Sequence, residues 1–272
     1  MTDTAISSHE QLLKLLGGKD TPTPDQFKDL IIKIDSHAVL AKVFLLEGVP
    51  YVLRDSPMKY IIFREQVADR FGIGSQDVCI VGSAKLGFSP SAHQFGRPFS
   101  ETSDVDVVVI SEPLFYRGSR VLFETLEQLG PPLWKIRPYL DAGAEKSSSA
   151  PVVPLKHWKN VKEAVRNFVY ENLNPGNFPS EHPLRIEIFN KISGTAGLFL
   201  ALEPKVFVSK IRCRIFRTWK AAEDYYANSL RETKNALLNL EEVDAELEDS
   251  EVLSEPIAPV SVKAVPAGQE TA

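Results

Sequence analysis

The chain has 272 residues, 43% of them hydrophobic and 25% charged, with a formal net charge of −5, a composition that suits one globular domain, or one with a small accessory lobe, and enough chain for a real core. It lacks the overall basic field that a phosphate backbone demands of its binders. No run approaches the roughly 18 apolar residues needed to cross a bilayer, and the polar start MTDTAISSHEQ is unlike a signal peptide, so we expect a cytoplasmic protein with no membrane partner.

Residues Pro24 to Glu47 carry Phe27, Leu30, Ile31, Ile34, Val39, Leu40 and Val43 at intervals of mostly three or four. That spacing predicts one amphipathic helix or a pair of them. Thr23 precedes the start, Pro24 takes the first position and Asp25 lies in the first turn. A second helix is expected over Pro57 to Phe71, ended by Gly72. Together they make an N-terminal helical segment, residues 1–75, whose aromatics Tyr51, Tyr60 and Phe63 read as core packing.

Asp77 to Val81 is a short β-branched run that stops at Gly82, and Ser103 to Ile110 is a second strand. A helix over Leu114 to Leu129 ends at Gly130-Pro131-Pro132. Asp141 to Pro151, with its run Ser147 to Ser149, reads as a loop. His157 to Leu173 reads as a helix with Trp158, Val161, Ala164, Val165 and Phe168 inward, and Asn174 to Pro183 as a further loop. Leu184 to Ile192 fits a helix turn or a short strand equally well. Val206 to Trp219 is the clearest late strand: Ile211, Cys213 and Ile215 alternate with Lys210, Arg212 and Arg214, and Arg217 extends the basic face.

A closing helix is expected from Lys220 to about Leu240, carrying Tyr225, Tyr226, Leu230 and Leu237. The acidic and then Pro- and Ala-rich stretch 241–272 has too little apolar surface to offset its ordering entropy and is predicted to be disordered. Cys79 and Cys213 read as buried reduced thiols, and none of the five histidines stands at ligand spacing from another or from a cysteine.

Side chains alternate across a strand, so Asp104 and Asp106 project from one face roughly 6–7 Å apart. Two carboxylates so placed repel unless a cation lies between them, and hard divalent ions favour such oxygen ligands together with substrate phosphates. Gly82-Ser83, where the preceding strand ends, lets backbone N–H groups approach a phosphate while the hydroxyl adds a donor.

In sequence, IVGSAKLGFS, then PSAHQFGRPFSET, then SDVDVVVIS resembles the DNA polymerase beta-like nucleotidyltransferase superfamily. The likeness covers roughly residues 80–115, and the remainder only by element order. Within that superfamily the pattern is similar to bacterial nucleotidyltransferase-like proteins of toxin and phage-defence systems.

The resemblance implies an α+β fold with a mixed β-sheet flanked by helices over residues 76–240. Asp104 and Asp106 would hold two Mg²⁺ ions, or Mn²⁺ in their place, one lowering the pKa of the acceptor hydroxyl and the other binding the triphosphate and stabilising the leaving pyrophosphate. Gly82 and Ser83 would cradle the phosphates of an NTP substrate, with Lys85 and Arg97 as candidates for neutralising phosphate charge. A third carboxylate from a neighbouring strand completes such sites. The strand from Val206 to Trp219 carries no acid, and Glu187, flanked by Ile186 and Ile188, is the candidate for it, ahead of Asp141 and Asp224, which stand outside strand-like runs. The activity implied is transfer of a nucleoside monophosphate from an NTP to a hydroxyl on RNA, protein, another nucleotide or a small molecule. The alternative is a catalytically inactive fold that binds an NTP or a partner protein.

Overall fold

The computed structural model describes residues 12, 14, 16, 21–128, 163, 166–178, 180–202 and 210–252. Helix α1 spans Pro24–Lys33 behind a capping box in which Thr23 and Gln26 satisfy each other's backbone N–H groups, and Pro24 opens its first turn. The expected longer helix breaks after Lys33, where Ile34 is extended. Ser36 then caps a short helix α2, His37–Leu40, which passes into a π-helical turn over Ala41–Leu46. Helix α3, Pro57–Phe71, stops at Gly72 in the left-handed conformation.

Strand β1 (Val78–Val81) leads through Gly82 into the one-turn helix α4 (Ser83–Leu86), and β2 covers Asp104–Ile110. Helix α5 spans Glu112–Gln128, β3 Asn172–Leu173, α6 Pro183–Leu202, β4 Lys210–Phe216 and α7 Trp219–Val252. The four strands form one mixed sheet in the order β1-β2-β4-β3, with β2 and β4 parallel and both outer pairs antiparallel.

Alternation along the strands gives the sheet two different faces. On one, Ile80, Val105, Val107, Val109, Ile211 and Ile215 bury against α3 and α6, where Phe63 meets Phe199 edge to face at 5.8 Å. On the other, Cys79, Val81, Val108, Ile110 and Phe216 bury against Ala221 and Ala222 of α7. A third core joins Phe27, Leu30, Ile31 and Phe44 to Leu86, Phe88 and Leu230. Residues before 75 therefore share cores with the sheet. The chain from Met1 to Lys234 forms one compact unit, and Asn235–Ala272 is a second.

Two expectations are corrected and one reading left open is decided. The segment His157 to Leu173 is helical at Glu163 and Arg166–Val169, but Asn172–Leu173 is strand β3, paired with β4 at Phe216 and Ile215. Glu171 turns the chain with a φ of 51°, and the long-range pairing overrides local helix preference. Leu184 to Ile192 is helix, because Leu184, Ile188, Ile192, Thr195 and Phe199 are all buried at helical spacing. Helix α7 runs past Leu240 to Val252, through residues expected to belong to the disordered tail, since Glu, Ala and Leu are good helix formers. Residues 253–272, the loop 141–151, Trp158, Val161, Ala164, Val165 and the start of the late strand at Val206 lie outside the described residues. Among the described residues no helix is long and apolar enough to cross a membrane.

Candidate functional site

Strand β1 runs antiparallel to β2 with Val81 opposite Asp106, so the turn after β1 starts beside that carboxylate. Gly82 sits at φ 69° and ψ −145°, a conformation open to glycine and strained for any other residue. A Cβ placed there would lie 3.1 Å from Asp106 Oδ2. Glycine thus brings the turn and the carboxylate together where a side chain would crowd Asp106.

On the other flank, β4 runs parallel to β2 and pairs Asp104 with Lys210 and Asp106 with Arg212. The even-numbered residues of β4 thus share the face of the two aspartates. Arg212 Nη2 lies 2.5 Å from Asp104 Oδ2. Arg214 donates to Asn172 Oδ1 at 2.9 Å, and its guanidinium lies 4.6 Å from the Tyr225 ring centroid. Burial pushes the Asp106 carboxyl above its ordinary range; Arg212 opposes the shift and Asp104 adds to it.

These groups line a cleft of about 830 Å³ at the sheet edge where β1 and β3 end and β2 and β4 begin. Gly82, Ser83, Arg97, Asp104 and Asp106 all line it, with Arg212 and Arg214 beside them. Arg97 comes from the loop between α4 and β2, which closes on itself through Ser89 N–H to Arg97 O and Gly96 N–H to Ser89 O. Its guanidinium reaches Gln94 and Thr102 at 3.4 and 3.5 Å. Tyr225 of α7 and Phe189 of α6 add aromatic walls.

Two predicted residues take other places. Lys85 does not line the cleft: it is buried, and its ammonium donates to the carbonyls of Glu47 and Gly48 at the end of the π-helical turn. Burial pushes this amine down to about 8. It satisfies carbonyls the helix end leaves open, so it is corrected from a phosphate contact to a buried cap. Glu187 lies on α6, paired with Arg117 at 2.7 Å and Lys191 at 3.0 Å. The hydrogen bonds from Arg117 hold its carboxyl below the usual range. The α6 residues that do line the cleft, Phe189 and Ile192, stand about 200° and 140° around the helix from it. Glu187 therefore does not stand with the aspartates.

Asp224 pairs with Lys220 at 2.6 Å on an exposed face of α7, and Asp141 lies outside the described residues. Among the described residues no group of three or more His, Cys, Asp or Glu side chains could hold a metal ion. Mg²⁺ in nucleotide sites commonly uses one or two carboxylates, with phosphate oxygens and water completing its octahedron. Asp104 and Asp106 fit one such ion.

The ion pair of Arg212 with Asp104 was not legible in the sequence. Alternation in Val206 to Trp219 marks a basic face, but only the parallel register turns it toward the aspartates. No family model, curated protein or solved structure matches the chain.

Proposed function

We propose that the cleft binds a nucleoside triphosphate with Mg²⁺ and transfers its nucleoside monophosphate to a hydroxyl acceptor, as nucleotidyltransferases of the DNA polymerase beta-like type do. One observation carries this reading: the Gly82-Ser83 turn lies against Asp106 on the strand that also presents Asp104, within one cleft. Ser83, which lines the cleft, opens α4, and its N–H precedes any intrahelical acceptor. Arg97 and Arg214 bring positive charge to the same space. The acceptor hydroxyl gives up its proton to solvent, its oxygen joins the α-phosphorus as the bond to the oxygen bridging to the β-phosphate breaks, and pyrophosphate leaves with the electron pair of that bond. When bound, Mg²⁺ would neutralise charge that develops on the phosphates. The acceptors that the resemblance implies are RNA, protein, another nucleotide or a small molecule, in a bacterial toxin or antiviral defence system.

A second reading, an NTP-binding module without turnover, is favoured by the Arg212–Asp104 pair and by Glu187's position away from the aspartates. One experiment separates the two. The chain is incubated with each α-labelled NTP and Mg²⁺ or Mn²⁺, and labelled product and pyrophosphate are measured. Product that disappears in the Asp104→Ala/Asp106→Ala variant supports transfer, and product that survives it overturns the assignment. Tight metal-dependent NTP binding without product supports the second reading.

A further inference from the structure

Where the superfamily pattern leads one to expect a third carboxylate, the strand beside Asp104 and Asp106 carries an arginine. Neighbouring strands lie about 4.8 Å apart, so a side chain from β4 on this face reaches both aspartates. Arg212, opposite Asp106, leans one position back and pairs with Asp104 at 2.5 Å. Its side chain is otherwise largely exposed to the cleft, leaving the guanidinium's remaining donors to face a ligand.

A guanidinium keeps its charge throughout the working pH range. With Asp104 and Asp106 it leaves this group at −1 when both carboxylates are ionised, against −3 for three carboxylates. Two divalent ions would bring three carboxylates to +1, and a single divalent ion brings the Asp104, Asp106 and Arg212 group to the same +1. The planar fork of arginine also suits phosphate oxygens.

We propose that Arg212 is a built-in second cation: the cleft takes one divalent ion with each nucleoside triphosphate, and the Arg212 guanidinium beside Asp104 supplies the remaining positive charge that neutralises the phosphates. This rests on the nucleotide-binding reading above.

The test is the number of Mn²⁺ ions held per chain at saturating α,β-methylene ATP, counted by equilibrium dialysis of the full chain. The native protein is expected to hold one Mn²⁺ per bound nucleotide. Arg212→Asp, which adds a carboxylate, is expected to hold two. Arg212→Gln is expected to keep one while its affinity for the analogue falls at least tenfold. Two Mn²⁺ per nucleotide in the native chain overturn the proposal and leave the nucleotide reading standing. So does unchanged analogue affinity in Arg212→Gln. Absence of bound analogue and Mn²⁺ from the native chain overturns the nucleotide reading, and the proposal with it. The native count needs no variant, so it decides the matter even if Arg212→Asp fails to fold.

Discussion

Asp106 shows how one residue sets function against stability. Burial raises its carboxyl above the ordinary 3.8, so the folded chain binds that proton more tightly than the unfolded chain. Stability from this group is therefore greatest at acid pH and falls as pH rises through the folded-state value. Asp106→Asn removes the buried charge, so it is expected to raise the thermal midpoint at pH 7 and abolish metal-dependent nucleotide binding. The gap in midpoint should close near pH 3, and a lower midpoint at pH 7 would contradict the burial account. Lys85 has the opposite chemistry. Its amine releases its proton near 8 in the folded chain and near 10.5 in the unfolded one, so between those values unfolding takes up a proton and stability rises with pH. The full rise is about 3 kcal/mol. Urea titrations from pH 7 to 10.5 should show it in the native chain and not in Lys85→Met. At Gly82 the positive φ and the 3.1 Å approach to Asp106 act together, so Gly82→Ala should cost about 1–3 kcal/mol in urea unfolding.

Among the elements, Gly118 inside α5 and Gly197, one of two glycines inside α6, should respond in opposite ways to alanine. A Cβ at Gly118 would lie 2.3 Å from Leu173 Cδ1 and 2.9 Å from Phe178, both buried, whereas one at Gly197 meets nothing within 4 Å. Alanine is favoured over glycine inside a helix by about 1 kcal/mol, while overpacking a fixed neighbour costs about 1–3 kcal/mol. Gly197→Ala should therefore raise the urea midpoint and Gly118→Ala lower it; a shared sign would contradict the packing of α5 on β3. The same contacts explain which elements were legible in the sequence. The cores of β1 and β2, and α1 and α3, follow from local period and stop signals such as Gly72 and Gly82. Strand β3 did not, because two residues carry no period and its pairing with Ile215 and Phe216 is fixed by distant chain. Glu187 was misplaced for a related reason: Leu184 to Ile192 fits two periods, and burial of Thr195 and Phe199 further along decides for helix.

At the scale of the whole molecule, the two aspartates and the Gly-Ser turn were legible because each lies at the end of a strongly patterned strand. The parallel register that sets Arg212 beside Asp104 was not, since it joins segments separated by the chain from α5 to α6. A further consequence concerns the acidic end of the chain. Every residue of the three cores precedes Lys234, as does every residue lining the cleft. Residues 241–272 supply no described group to either, although α7 extends through them to Val252. A chain ended at Leu240 should thus unfold cooperatively with a stability within about 0.5 kcal/mol of the full chain, the range typical of changes away from a core. It should also bind nucleotide with the same affinity. Thermal melts and nucleotide titrations of the two chains side by side measure both. A broadened melt would show that the acidic stretch supports the fold, and weakened binding with an unchanged melt would show that it acts on the cleft.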